Sequence, residues 1–254
     1  MTRHLFWISF RLYLSRAVKD WMGWAIYIIL PIGLVVILSM VGSSVNSTAV
    51  FQDGYNVSAT RASVAIVLMF QLLGGGYLLH YFTHDLLGTR KWRLRAAPCP
   101  VHNHIFAGIT ACTIFTVLQG LFIVAATAIF LDAYWGNWAV TALSIMLVSI
   151  IAQLVNIVLL LIIKNADITG FLSWAVGYGM TALAGVFFAL PDNAFFAFMQ
   201  KYGTPVALAK TAIMESGKWG SMEYYVTPLA FTILLAYIVC LAALAVILGR
   251  RKLI

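Results

Sequence analysis

Charge is what this sequence has least of. Only 9% of its 254 residues are Asp, Glu, Lys or Arg, while 63% are hydrophobic. A water-soluble domain carries about 25% charged residues. A soluble fold of this length would have no polar surface to cover it, and the mean hydropathy of +0.95 places the chain in a membrane. The deficit is sharpest within the apolar runs, none of which has Asp, Glu, Lys or Arg in its middle. A charge at the bilayer centre costs roughly 2.5–3.5 kcal/mol on insertion scales, and where present it usually marks a proton relay or ion path. Its absence argues against a proton- or sodium-coupled carrier.

Cysteine is also scarce. Cys99, Cys112 and Cys240 are widely separated and match no metal or redox spacing. Cys112 and Cys240 lie in apolar runs and read as packing residues, and Cys99 reads as a thiol on a reducing side. An intramembrane hydrolase needs an activated Ser with a His base in reach, but there is no GxSxG and no His at mid-depth. Nor is there a GxxxxGK[ST] phosphate loop. No catalytic residue and no cofactor are expected in this chain, and any nucleotide energy must enter through another polypeptide. A net charge of +8 would suggest nucleic acid for a soluble chain. In a membrane protein the positions of the charges decide, and no nucleic-acid partner is expected.

What the sequence does contain is six apolar runs, at 24–41, 62–81, 105–131, 138–163, 168–190 and 228–248. Each approaches or exceeds the roughly 18 residues that cross about 30 Å of hydrocarbon. Each reads as a helix, because an isolated spanning segment must satisfy its own backbone hydrogen bonds. The fold expected is therefore an all-α integral membrane protein, with residues 1–254 forming a single transmembrane domain. Pro31 is expected to kink the first span. Gly74-Gly75-Gly76 gives the second span a patch where another helix approaches closely or the helix bends.

Residues 1–21 mix bases with large apolar groups. Phe6, Phe10, Tyr13, Leu14, Ala17 and Trp21 recur at three- and four-residue steps, with Arg11, Arg16 and Lys19 on the other side. This predicts an amphipathic helix in the membrane interface, in contact with lipid, in preference to a cleavable signal peptide.

Basic residues in the connections give the orientation. With six spans both termini share a side, and twelve of the sixteen Lys and Arg fall there: Arg3, Arg11, Arg16, Lys19, Arg90, Lys91, Arg93, Arg95, Lys164, Arg250, Arg251 and Lys252. That side is predicted to be cytoplasmic. Of the outer connections, Gly42–Arg61 reads as a plain loop and Asp132–Asn137 as a tight turn. Pro191–Thr227 is long yet semi-apolar, and such segments lie on the bilayer or dip part-way into it.

Among the few polar groups in the spans are Gln71, Gln153 and Asn156. Gln153 and Asn156 share a helical face, and read either as interhelical hydrogen bonds or as polar contacts along a translocation path. His80 and His84 are four apart beside Asp85. That spacing can hold a metal and supports an alternative reading as a stand-alone membrane enzyme or metal-binding protein, although no third ligand is obvious. His102 and His104 are expected to sit in water at the membrane surface.

The most polar break, Phe82 to His104, places Arg90, Lys91, Arg93 and Arg95 within six positions, and Pro98 and Pro100 close it. It suits a stiff docking element for a soluble subunit. Asp85-x-x-Gly88-Thr89-x-x-x-Arg93-Leu94-x-x-Ala97-Pro98 resembles the loop after the second span in permeases of the type-two ABC (ABC-2) exporter family. Asp85 stands where Glu is commoner there, and Lys91 and Trp92 are bulkier than the usual filler. The amphipathic N-terminal helix, six spans and short basic tail (Gly249 to Lys252) are also similar. The resemblance implies an ABC transporter permease that pairs with a second permease subunit, identical or not, and with two ABC ATPase subunits carrying ATP and magnesium. Asp85, Gly88, Thr89, Arg90, Lys91, Arg93, Leu94, Arg95, Ala97 and Pro98 would form the coupling loop seated in the ATPase. It further implies export across the cytoplasmic membrane of a bacterium, with a lipid, drug or hydrophobic peptide as cargo.

Overall fold

The computed structural model describes residues 2–45, 51–88, 101–163, 165–187, 190–217 and 225–253. Of the described residues, 87% are helical. In order come α1 (Thr2–Lys19), α2 (Trp21–Trp24), a π-helical stretch Ala25–Ile29, α3 (Leu30–Val45), β1 (Phe51–Gln52), β2 (Tyr55–Asn56), α4 (Val57–Leu73), α5 (Gly76–Phe82) and a second π stretch, Thr83–Leu87. Then follow α6 (Val101–Phe130), α7 (Trp138–Ile163), α8 (Ala166–Leu183), α9 (Ala194–Phe198), a third π stretch Met199–Gly203, α10 (Pro205–Glu215) and α11 (Val226–Leu253).

Among the described residues, five helical stretches are long and apolar enough to cross a membrane: Trp21–Val41, Val57–Asp85, Asn103–Phe130, Trp138–Ile163 and Val226–Gly249. They correspond to five of the six runs read from sequence. The remaining run, 168–190, is represented by α8, an 18-residue helix about 27 Å long at 1.5 Å per residue. Asp167, Thr169, Ser173 and three glycines dilute its apolar content, and the chain leaves it through Gly185 at φ +66°.

The second span is the centre of the bundle, with 89% of its apolar window buried, while the last span has 6%. Gly74 and Gly75 form a turn between α4 and α5, and α7 packs against this break. A Cβ on Gly75 would collide with the Asn156 amide and the Ala152 carbonyl. The glycine patch thus gives both a bend and a close approach. In the first span, the π stretch Ala25–Ile29 lies directly before Pro31. A widened turn there accommodates the hydrogen bond that proline cannot donate.

One end of the bundle is closed by polar caps. The 42–61 connection is more than a loop. Asp53 (φ +53°) and Gly54 (φ +82°) make a turn of the hairpin kind between the paired strands β1 and β2. Asn56 then caps α4, its side chain accepting from Ala59 N at 2.9 Å, so the second span begins five residues earlier than its apolar run. Asn56 N donates to Asp132 O (3.0 Å), and Tyr134 N donates to Thr60 Oγ1 (2.8 Å).

The described part of the 191–227 segment enters the bundle through α10. Thr204 caps α10 by accepting from Ala207 N at 3.1 Å, and Pro205 occupies its first turn. With 11 residues, α10 is about 16 Å long, too short to span. Its Pro205–Ala209 face, Ala212 and Ile213 are buried. Tyr237 donates to Gly203 O at 3.3 Å, about 16 Å along α11 at 1.5 Å per residue. At its other end, Ser216 Oγ accepts from Asn137 N at 3.3 Å. The helix therefore runs from mid-height of the last span up to the hairpin end.

Candidate functional site

The opposite end of the bundle, where both α1 and the end of α11 pack in one apolar cluster, carries a buried polar knot. α1 lies across α6 with Tyr13 and Ala17 fully buried and Ser9 nearly so. Trp7, Ile8, Leu12 and Val18 are exposed. The helix ends at Lys19, and Trp21, which the sequence pattern put on its apolar face, opens the next helix and is 74% exposed.

Asp85 sits in the π stretch that ends the second span, closed where Gly88 N donates to Thr83 O at 3.0 Å. Its Oδ2 accepts from Tyr13 Oη at 2.9 Å and from Arg16 Nη1 at 3.1 Å. His104, at the start of the third span, places Nε2 2.6 Å from Tyr13 Oη and Nδ1 3.2 Å from Ser9 Oγ. A phenol has one proton. With Tyr13 donating to Asp85, His104 Nε2–H donates to the phenol oxygen, and Nδ1 is hydrogen-bonded to the Ser9 hydroxyl. Burial, reinforced by the neighbouring Asp85 charge, pushes the Tyr13 phenol well above its ordinary value, so Tyr13 stays a donor. Packing fixes the ring: Phe82 meets it edge-on at 5.5 Å, and the Arg16 guanidinium lies 5.7 Å from its centroid. Gly108 permits this approach, since a Cβ there would come 2.6 Å from the Phe82 ring.

Three elements remote in sequence are thereby tied together: α1, the end of the second span, and the start of the third. The latter two flank residues 89–100. Of the docking residues read from sequence, Asp85 and Gly88 are placed at this knot. Thr89, Arg90, Lys91, Arg93, Leu94, Arg95, Ala97 and Pro98 lie outside the described residues. His104, expected in water, is 7% exposed and belongs to the knot. Its partner Tyr13 was read only as part of an apolar face, and Arg16 only as part of the polar one. A Ser9-x-x-x-Tyr13 step along one helical face was the available signal, but partners 91 and 95 positions away leave no local pattern.

The polar groups of the spans form a second network. Gln71 Nε2 donates to Thr116 O (3.1 Å), and Gln71 Oε1 accepts from Ser149 Oγ (2.6 Å). Gln153 Nε2 donates to Gly74 O (3.4 Å), Gln119 Nε2 to Tyr77 Oη (3.2 Å), and Asn156 Nδ2 to Ala152 O (2.9 Å). Gln71, Gln153 and Asn156 are at most 3% exposed. In the single chain Gln71 and Gln153 join the second span to the third and fourth, the Asn156 bond stays within the fourth, and none of the three faces an open surface. An apolar groove of about 590 Å³ does open elsewhere, between the Met199–Gly203 stretch and α11, lined by Phe198, Met199, Tyr202, Ile233 and Tyr237.

His80 and His84 are both exposed, their ring centroids 5.2 Å apart at 80°. Asp85, their sequence neighbour, turns its Oδ2 toward Tyr13 and Arg16. Among the described residues no group of three or more His, Cys, Asp or Glu is placed to hold a metal. The chain matches no family model and no curated protein.

Proposed function

We propose that this chain is the membrane-spanning permease subunit of an ATP-driven exporter of the type-two ABC kind, itself without catalytic activity. The observation that carries the reading is the buried Tyr13–Asp85–His104 knot. It holds the interfacial helix α1 against both flanks of the basic 89–100 segment, so a push on that segment reaches the second and third spans directly. Buried hydrogen-bonded contacts of this kind transmit displacement because packed interfaces switch between discrete arrangements rather than deform continuously. The absence of a phosphate loop supports a separate ATPase.

In this reading α8 completes six spans and both termini are cytoplasmic. Two permease subunits, identical or not, sit on two ATPases, in the cytoplasmic membrane of a bacterium. The coupling loop runs from Asp85 to Pro98. ATP and magnesium act on the partner. Cargo leaves between the permease subunits, and the apolar groove beside α11 suits a lipid, drug or hydrophobic peptide. Reversing the charges of Arg90, Lys91, Arg93 and Arg95 is expected to abolish co-purification of the ATPase without preventing membrane insertion. A stable complex after that change would overturn the docking assignment.

A further inference from the structure

The second span is the most enclosed of the five, yet two of its side chains near the Asp85 end are exposed, and both are imidazoles. Tyr77, Leu78, Leu79, Tyr81, Phe82 and Asp85 around them are buried. A face turned to lipid gains nothing from polar groups, which are costly in hydrocarbon and normally face a bundle interior or a water-filled cavity. The His80–His84 face therefore meets protein or water.

The ring spacing matches that of a chelate. Two imidazoles sharing one tetrahedral ion, with metal–nitrogen bonds of 2.0–2.1 Å, have ring centroids about 5 Å apart. The observed separation is 5.2 Å. Tyr81 meets the His80 ring edge-on at 5.6 Å and restricts its rotation. Such a pair supplies two of four positions. The third ligand that the sequence offered, Asp85, is bonded to Tyr13 and Arg16, and the described residues supply no other.

A second copy would supply the rest. Two copies inserted with the same topology can be related by a two-fold only along the membrane normal, because any axis in the membrane plane inverts one of them. That axis puts equal-numbered residues at equal depth, and brings those nearest it into self-complementary contact. We infer that His80 and His84 of two copies together bind one zinc-class divalent cation at the two-fold. The inference rests on the paired-permease reading, with the second subunit an identical copy.

The test is a zinc titration of the full-length protein in lipid nanodiscs, with cobalt as the spectroscopic probe and the mass measured with and without chelator. The expected result is one zinc ion per two chains and a tetrahedral cobalt spectrum. His80→Ala or His84→Ala should each weaken binding by about a hundredfold or more, since loss of an outer-shell partner alone costs 10–100-fold. His4→Ala, an exposed side chain of α1, should leave it unchanged. No binding, one ion per chain, or binding insensitive to His80→Ala would overturn the site. ATPase co-purification measured on the same variants separates the two claims. An ATPase complex without metal removes only the metal site. One zinc per two chains without an ATPase removes the permease reading and leaves the site standing.

Discussion

Replacing Tyr13 by Phe is the sharpest perturbation of the knot. The ring stays, so its contacts with Phe82 and Tyr81 persist and no cavity opens. One oxygen is lost, and with it two hydrogen bonds, the phenol's donation to Asp85 at 2.9 Å and its acceptance from His104 at 2.6 Å. A hydrogen bond to a charged group contributes about 1.5–3 kcal/mol. Asp85 retains Arg16 at 3.1 Å, whose side chain is 28% exposed and in part screened by water. The expected cost is therefore about 2 kcal/mol, a factor of roughly thirty in the opening of α1 from the bundle at 1.4 kcal/mol per decade. Amide hydrogen exchange of α1 in detergent or nanodiscs measures it, because local opening is reported by backbone protection. Combining Tyr13→Phe with Asp85→Asn should cost less than the two changes summed, by about 1 kcal/mol, since both remove the same bond. Strict additivity, or α1 protection unchanged in Tyr13→Phe, would refute the reasoning.

Other consequences follow from the packing. Gly75→Ala should lower thermal stability by about 1–3 kcal/mol through overpacking against Asn156 and Ala152, whereas Gly33→Ala, with nothing within 4 Å, should not lower it. Gln71→Leu should cost about 0.6–2 kcal/mol, the range for interhelical hydrogen bonds in membranes, and a thermal-shift series will show whether Ser149→Ala is less than additive with it. Thr204→Ala removes the cap of α10, and should cost about 0.5–2 kcal/mol and raise exchange at Ala207 first.

The bundle was legible wherever length and apolarity coincide, because a spanning helix must be both. This is why five of the runs match five helices to within a few residues at most ends. Where polarity and length disagree, the pattern was less informative. Ile168–Leu190 reads as one apolar run, but its glycines and Gly185's left-handed turn end the helix at Leu183. The Asp53-Gly54 pair was a readable hairpin signal inside what reads as a plain loop, and Asn56 a readable cap. The semi-apolar character of the 191–227 stretch matches the burial of α10 in the bundle, and Thr204-Pro205 marked where that helix starts. The knot was different. His104 flanks a basic loop, so local composition places it in water; only the tertiary approach of α1 buries it against Tyr13 and Ser9. Arg16 likewise sits on the polar side of α1, and its long side chain reaches around to Asp85, a partner 69 positions away.

The proposed function rests on one claim, that this chain works by holding an ATPase at the segment flanked by Asp85 and His104. Purifying the tagged full-length chain from its native membranes, and assaying the complex for a phosphate-loop subunit and ATP hydrolysis, tests it most directly. The account predicts two ATPase subunits per two chains, lost when Arg90, Lys91, Arg93 and Arg95 are reversed in charge. A chain that moves its cargo without any ATPase, insensitive to ATP but abolished when the ion gradient collapses, would contradict it.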